Sequence, residues 1–183
     1  MRVACNGHVE CLKGLLNVHA KIDAQDYSRN TVLMLAAGIG RLHCMRLLMA
    51  ANANMECRSE NGETALMKAA EFDHIHCMRL LIDAKANVNS QNASGETALI
   101  KAACGGHIFC VEELVASGAE LATRTVDGRS ARMAAAMYGD VDDMQMLIDA
   151  KADIHARHIE GSSDACGSML QPRLRAAFPP AQC

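Results

Sequence analysis

Residues 62–74, GETALMKAAEFDH, and residues 95–107, GETALIKAACGGH, are two copies of one pattern, placed 33 residues apart. The segments that follow them, MRLLIDAKANVN at 78–89 and VEELVASGAELA at 111–122, keep the same step. A fixed period of this length indicates a repeat architecture, and it is stronger evidence for the fold than predictions made for single helices or strands. The step recurs at other positions along the chain: Thr31, Thr64, Thr97 and Ser130; the alanine pairs 36–37, 69–70, 102–103 and 135–136; and Cys11, Cys44, Cys77 and Cys110.

A frame that starts at Asp26 divides the 183 residues into six segments. They are a partial unit at 1–25, full units at 26–58, 59–91, 92–124 and 125–157, and a tail at 158–183. We predict that 125–157 is a C-terminal capping unit, because Arg132 stands where the other units have leucine. The tail contains all three prolines of the chain and loses the period, so we expect it to be mostly disordered.

Within one unit the local signals predict a short helix, a turn, a second helix and an extended loop. In the second unit Thr64 can cap the first helix, and Leu66, Met67, Ala69 and Ala70 form its apolar face. Gly40, Gly106 and Gly139 stand where a left-handed residue ends this helix, and Asp73 occupies that place in the second unit. One unit cannot bury its own apolar face, so the units must stack into an all-α solenoid.

The repeated segments resemble the ankyrin repeat family, whose pattern Gly-x-Thr-Pro-Leu-His-x-Ala-Ala-x-x-Gly-His they follow in register as far as residue 157. The resemblance implies an ankyrin-repeat solenoid of helix-turn-helix units joined by extended β-turn loops. It also implies that His8 and His107 cap the second helices. The chain departs from the pattern where a loop glycine is replaced by Asn52, Lys85 or Lys151, and a left-handed lysine costs about 1 kcal/mol. The proline and histidine of the pattern are also replaced: the proline by Val32, Ala65, Ala98 and Ala131, and the histidine by Met34, Met67, Ile100 and Met133.

Composition excludes several classes of function. Eighteen basic and 21 acidic residues give a formal net charge of −3, which argues against binding nucleic acid through its phosphates. No apolar run approaches the roughly 20 residues of a membrane span, and the first residues do not form an export signal. Nine cysteines without such a signal indicate free thiols in a reducing compartment. We therefore expect a protein of the cytoplasm, with the nucleus as the alternative, and no contact with membranes.

Chemical sites are not predicted, although cysteine and histidine are frequent. Zinc sites use close pairs of ligands separated by a spacer, and the grouping of Cys104, His107 and Cys110 does not supply two such pairs. The four periodic cysteines are instead expected to be buried as small apolar residues. The sequence contains no nucleophile elbow, phosphate-binding glycine loop or carboxylate pair in a predicted cavity. We expect no catalysis, no metal and no cofactor.

The resemblance implies that a protein partner binds to a concave groove lined by loop tips and the outward side of the first helices. Lys68 and Lys101 are expected to form a cationic step between acidic tips, which suits a partner with an apolar anchor and an acidic residue. We expect the chain to act as a monomer. The positions carried over to this sequence are Tyr27, Asn30, Leu35, Ile39, Glu60, Glu63, Lys68, Phe72, Glu96, Lys101, Arg129, Met137 and Tyr138, with Glu71, Cys104, Val126 and Asp127 on the same face.

One alternative stays open at this point. The array could be a fragment or a regulatory segment of a larger, multidomain and even enzymatic protein, because the partial unit at 1–25 lacks its loop and most of its first helix. A fold by itself does not decide between these two interpretations.

Overall fold

The computed structural model describes residues 9–17, 21–138 and 145. Within this part of the chain the regular structure consists of eight α-helices without a β-strand. In chain order they are α1 (Val9–Asn17), α2 (Val32–Gly38), α3 (Leu42–Ala50), α4 (Ala65–Glu71), α5 (Ile75–Asp83), α6 (Ala98–Gly105), α7 (Ile108–Ala116) and α8 (Ala131–Tyr138).

The helices form two layers that follow the 33-residue period. The first helices of the units, α2, α4, α6 and α8, pack one against the next, and the second helices, α1, α3, α5 and α7, do the same with fewer contacts. Alanine makes the close approach of the first helices possible, since Ala36, Ala37, Ala69 and Ala70 are fully buried. The all-α solenoid predicted from the repeat is confirmed.

The ends of the first helices are set by the residues that the sequence suggested. The Thr64 hydroxyl accepts a hydrogen bond from the backbone N–H of Met67 at 3.4 Å, and Thr97 and Ser130 cap α6 and α8 in the same way. Gly40, Asp73 and Gly106 follow the helices with φ of 68°, 57° and 68°. These left-handed residues reverse the chain into the second helix, as predicted.

The loops form tight turns whose tips are bonded into a row. In each tip the first residue of the unit closes a turn, for example from Gly62 N–H to Ser59 O at 2.9 Å. Successive tips are joined by backbone hydrogen bonds from Glu60 to Ser28, from Ala93 to Asn61 and from Val126 to Ser94, at 2.8 to 2.9 Å. The tips therefore lie in register along one side of the array.

A second set of hydrogen bonds joins the segments that follow the second helices. Asp23 Oδ1 accepts from the backbone of Asn54 at 3.0 Å, Glu56 Oε1 from Asn87 at 2.8 Å and Asn89 Oδ1 from Glu120 at 2.8 Å. Each of these bonds reaches the next unit, 31 residues further along the chain. Asn52 and Lys85, two residues before the donors Asn54 and Asn87, adopt φ of 62° and 68°. Both are therefore left-handed, as the glycine of the family pattern is at this position.

Several predictions fall outside the described residues. They are the first part of the unit at 1–25, His8, the left-handed positions Gly139 and Lys151, the second helix of the unit at 125–157, and the tail at 158–183. In the part of the chain that the structure does describe, no helix is long and apolar enough to cross a lipid bilayer.

Candidate functional site

The loop tips and the exposed side of α2, α4, α6 and α8 form one continuous surface, which we call the tip face. It contains a groove of about 530 Å³ between the third and fourth tips. Tip residues 93–96 and 125–129 form its walls, and Ile100 and Cys104 of α6 form its floor. A groove with an apolar floor and charged walls is suited to binding a side chain of another molecule.

The structure exposes some of the predicted binding residues and buries others. Tyr27 projects fully into solvent, and Ile39, Phe72, Met137 and Glu60 are exposed as well. Asn30, Leu35, Lys68, Glu96, Lys101 and Arg129 are half-buried, and the side chain of Tyr138 lies outside the description. Glu63 differs most from the prediction, because it is only 7% exposed although it follows a loop tip.

Glu63 is buried because it forms the centre of a group of five charged residues, which we call the Glu63 cluster: Glu63, Lys68, Glu71, Glu96 and Lys101. Both lysines bind the Glu63 carboxylate, Lys68 at Oε2 and Lys101 at Oε1, the latter at 2.8 Å. Lys101 Nζ also lies 3.2 Å from Glu71 Oε1 and 3.6 Å from Glu96 Oε2. The cluster thus links the second and third units through their first helices and tips.

Burial and charge act in opposite directions on the cluster. Desolvation alone would raise the pKa of Glu63, but the hydrogen bonds and positive charges of Lys101 and Lys68 outweigh it and hold this pKa below its ordinary value. Desolvation would lower the pKa of Lys101, and the hydrogen bond and negative charge of Glu63, with the charges of Glu71 and Glu96, raise it instead. Both groups are therefore ionised near neutral pH.

The predicted cationic step is wrong. Lys68 and Lys101 are neutralised by three carboxylates, and the side chain of Lys101 is only 10% exposed. With two ammonium groups and three carboxylates the cluster has a formal charge of −1. The sequence did contain a signal for it, since Glu63 precedes Lys68 by the same five residues that separate Glu96 from Lys101.

The fourth tip contains its own ion pair. The guanidinium of Arg129 binds the carboxylate of Asp127, with Nε at 2.8 Å from Oδ2. The hydroxyl of Thr125 donates to the other oxygen of Asp127. This pair contributes no net charge to the wall of the groove.

The predicted role of His107 is wrong. Its side chain makes no capping bond to α7. Its Nε2 lies 3.0 Å from the backbone oxygen of Glu71, which is the last residue of α4 in the preceding unit. His107 therefore satisfies a carbonyl at the end of the neighbouring first helix, where intrahelical partners are lacking. The contact stabilises the interface between two units and not the start of a helix.

The thiols are structural, as predicted, at each periodic position whose side chain is described. Cys44, Cys77 and Cys110 are at most 2% exposed, and burial raises the pKa of the Cys77 thiol. Cys104 lies at the floor of the groove, where burial first and then the charge of Glu96 raise its pKa as well. No group of three or more histidine, cysteine or acidic side chains that could hold a metal ion occurs among the described residues.

One exposed aromatic residue was not predicted. Phe109 is 66% exposed and lies on α7, a second helix, away from the tip face. It stands where the two preceding units have His43 and His76, both exposed. The 33-residue alignment therefore did indicate that this position faces solvent.

The fold and its periodic contacts define an α-solenoid repeat protein built from helix-turn-helix units. A sequence model of the family "Ankyrin repeats (3 copies)" matches residues 1–92 and 84–158. The chain therefore belongs to the ankyrin repeat family, whose members are generally protein–protein interaction modules. Among curated proteins, no sequence matches the chain.

Proposed function

We propose that this protein is an interaction module that holds a protein partner on its tip face, acting as a monomer without catalysis, cofactor or metal. The observation that supports the proposal is the distribution of exposed apolar side chains. Five of the six large ones in the described part of the chain belong to the tip face, and Phe109 alone does not. The five are Tyr27, Ile39, Phe72, Val126 and Met137. Apolar and aromatic side chains concentrated on one surface are typical of a binding site.

Phe72 is the central anchor in this proposal. It is 52% exposed at the end of α4, and its ring lies against Gly38 of the preceding unit, where a Cβ would be 3.7 Å from Cδ2. The ring is therefore close to the preceding unit on one side and about half exposed to solvent. An aromatic ring held in this way loses little conformational entropy when a partner covers it.

Two matched variants test the proposal, because the chain carries a second exposed phenylalanine on the opposite side. Phe72→Ala should weaken binding of a captured partner by on the order of 1 to 2 kcal/mol, which is about 5- to 30-fold, while Phe109→Ala should leave it unchanged. Partners captured from a cell extract by the immobilised chain are compared between the variants by quantitative mass spectrometry. Circular dichroism checks that both variants keep the helicity of the natural chain.

The opposite result would refute the proposal. If proteins bound by the natural chain are lost with Phe109→Ala and kept with Phe72→Ala, the second helices form the binding surface. The reducing cytoplasm is the location we propose for this interaction, with the nucleus as the alternative, because Cys44, Cys77 and Cys110 are buried thiols and not parts of disulfides.

A further inference from the structure

We propose that the tip face recognises a peptide segment in which a basic side chain lies close to an apolar one, the cation opposite Glu60, Glu71 and Glu96 and the apolar side chain on Phe72. This inference rests on the proposed function and specifies the chemistry of the partner. It reverses the charge that the sequence alone suggested for the partner.

The first step is the charge of the side chains that the second and third units place on the tip face. The Glu63 cluster has three carboxylates and two ammonium groups, which leaves one negative charge in excess. Glu60 adds a second one at the tip of the same unit, where it is exposed. Asp127 and Arg129 pair with each other on the neighbouring tip and do not offset this charge.

The second step is where the excess charge lies. Glu63 is held by both lysines and is almost completely buried, so its charge is neutralised inside the fold. The side chains of Glu71 and Glu96 are 34% and 31% exposed, and they share the lysines at longer distances of 3.2 to 3.7 Å. The negative charge that solvent can reach on this part of the tip face therefore lies on Glu60, Glu71 and Glu96.

The third step is the apolar surface beside this charge. Phe72 follows Glu71 directly as the residue that ends α4, and Ile39 holds the same position in the preceding unit. Stacked helices lie about 8 to 10 Å apart, and an extended peptide advances about 3.3 Å per residue. Phe72 follows α4 and Glu96 precedes α6, so the path between them also runs about 13 Å along the helix direction, at about 1.5 Å per residue. A partner chain crossing from Phe72 to Glu96 in the next unit therefore places its apolar and basic side chains about five residues apart.

Charge complementarity selects this occupant over others. An acidic peptide or a nucleic acid would bring further negative charge against Glu60, Glu71 and Glu96, which is unfavourable at close range. A purely apolar segment would cover these carboxylates and desolvate them without compensation. A lysine or arginine near the anchor can donate to the exposed oxygens of these carboxylates and keeps them paired when the partner covers them.

A library of random peptides displayed on phage, selected against the immobilised full chain, tests the inference. We expect enrichment of sequences with lysine or arginine about five residues from a large apolar residue. A synthetic copy of the most enriched peptide should bind about two- to fivefold less tightly to Glu60→Gln and to Glu96→Gln. Its affinity should also fall when the salt concentration rises from about 0.05 to 0.5 M. Glu112→Gln, an exposed carboxylate of α7, is the matched control and should have no effect.

The outcomes separate this inference from the proposed function. Peptides that depend on Phe72 but are neutral or acidic would overturn the charge assignment and leave the binding face intact. Peptides that bind equally well to Phe72→Ala would contradict the proposed function, and a selection without enrichment would count against both. Loss of binding with Glu112→Gln as large as with Glu96→Gln would show a nonspecific charge effect and refute the site.

Discussion

Replacing Lys101 by Met removes the cation that holds three carboxylates of the Glu63 cluster. The ammonium lies 2.8 Å from Glu63 Oε1 and is about one-tenth exposed, so water can replace it only in part. Removing one partner of a buried ion pair costs about 3 to 5 kcal/mol. Because Lys68 still binds Glu63, we expect the lower end of this range, about 3 kcal/mol of unfolding free energy. In a chain of this size the loss lowers Tm by roughly 6 to 12 °C.

The double variant separates the ion pair from simple packing. Glu63→Gln alone should cost about 1 to 2 kcal/mol, because Lys101 keeps Glu71 and Glu96 as partners. The variant that carries both Glu63→Gln and Lys101→Met should be more stable than the sum of the two single losses predicts, by about 1 to 2 kcal/mol. The reason is that neither Glu63 nor Lys101 then leaves the other as an unpaired buried charge. Unfolding in urea followed by helical circular dichroism measures these differences.

The surface pair of Lys13 and Glu10 serves as the control. These side chains are 47% and 84% exposed and lie 2.8 Å apart on α1. Lys13→Met should cost less than about 0.5 kcal/mol. The reasoning fails if Lys101→Met costs no more than Lys13→Met, or if the losses from Glu63→Gln and Lys101→Met add without coupling.

Three further predictions concern the same fold. The pKa of Glu63 is lower in the folded state than the ordinary glutamate pKa of about 4.3. The contribution of its ionised form to stability is therefore fully present above that ordinary value and is lost as the pH falls through the pKa of the folded state. When urea unfolding is repeated at decreasing pH, Glu63→Gln should lose less stability than the natural chain. Mass mapping after alkylation should show that Cys104 reacts more slowly than a cysteine in the unfolded chain, because burial raises its pKa. The alkylation rate should be lowest at the buried periodic thiols, Cys44, Cys77 and Cys110. Lys85→Gly should raise the unfolding free energy by about 1 kcal/mol, because Lys85 has a φ of 68° that glycine adopts without strain. Asn52→Gly should raise it less, since asparagine tolerates this conformation. Equal losses of stability in both variants would contradict this argument from backbone strain.

The fold could be predicted from the sequence because the same local signals recur in every unit. Thr31, Thr64 and Thr97 each precede a short run of alanine and leucine, and a left-handed residue follows each run at Gly40, Asp73 and Gly106. The recurrence of these signals in successive units removes the ambiguity that a single short helix would have. Left-handed positions are also visible from the alignment, because a glycine in one unit identifies the conformation of the lysine or asparagine in another.

The charge of the tip face could not be predicted in the same way. Lys68 and Lys101 are separated by one period, so the sequence places them side by side, but it does not show how deep the side chains between them lie. The repeat alignment places Glu63 at an exposed tip, whereas in the structure it is buried and binds both lysines, so Lys68 and Lys101 are not free surface cations. The role of His107 was missed for a similar reason, since its acceptor belongs to a different unit.

The bonds between tips have a consequence for the speed of folding. The bonded residues Ser28 and Glu60, Asn61 and Ala93, and Ser94 and Val126 are each one residue less than a full period apart. The chain therefore never has to close a loop much longer than about one unit, and the entropy lost at each closure stays small. The second and third units hold the additional ionic contacts of the Glu63 cluster, so this pair is where ordered structure is expected to nucleate, with neighbouring units adding to it in both directions.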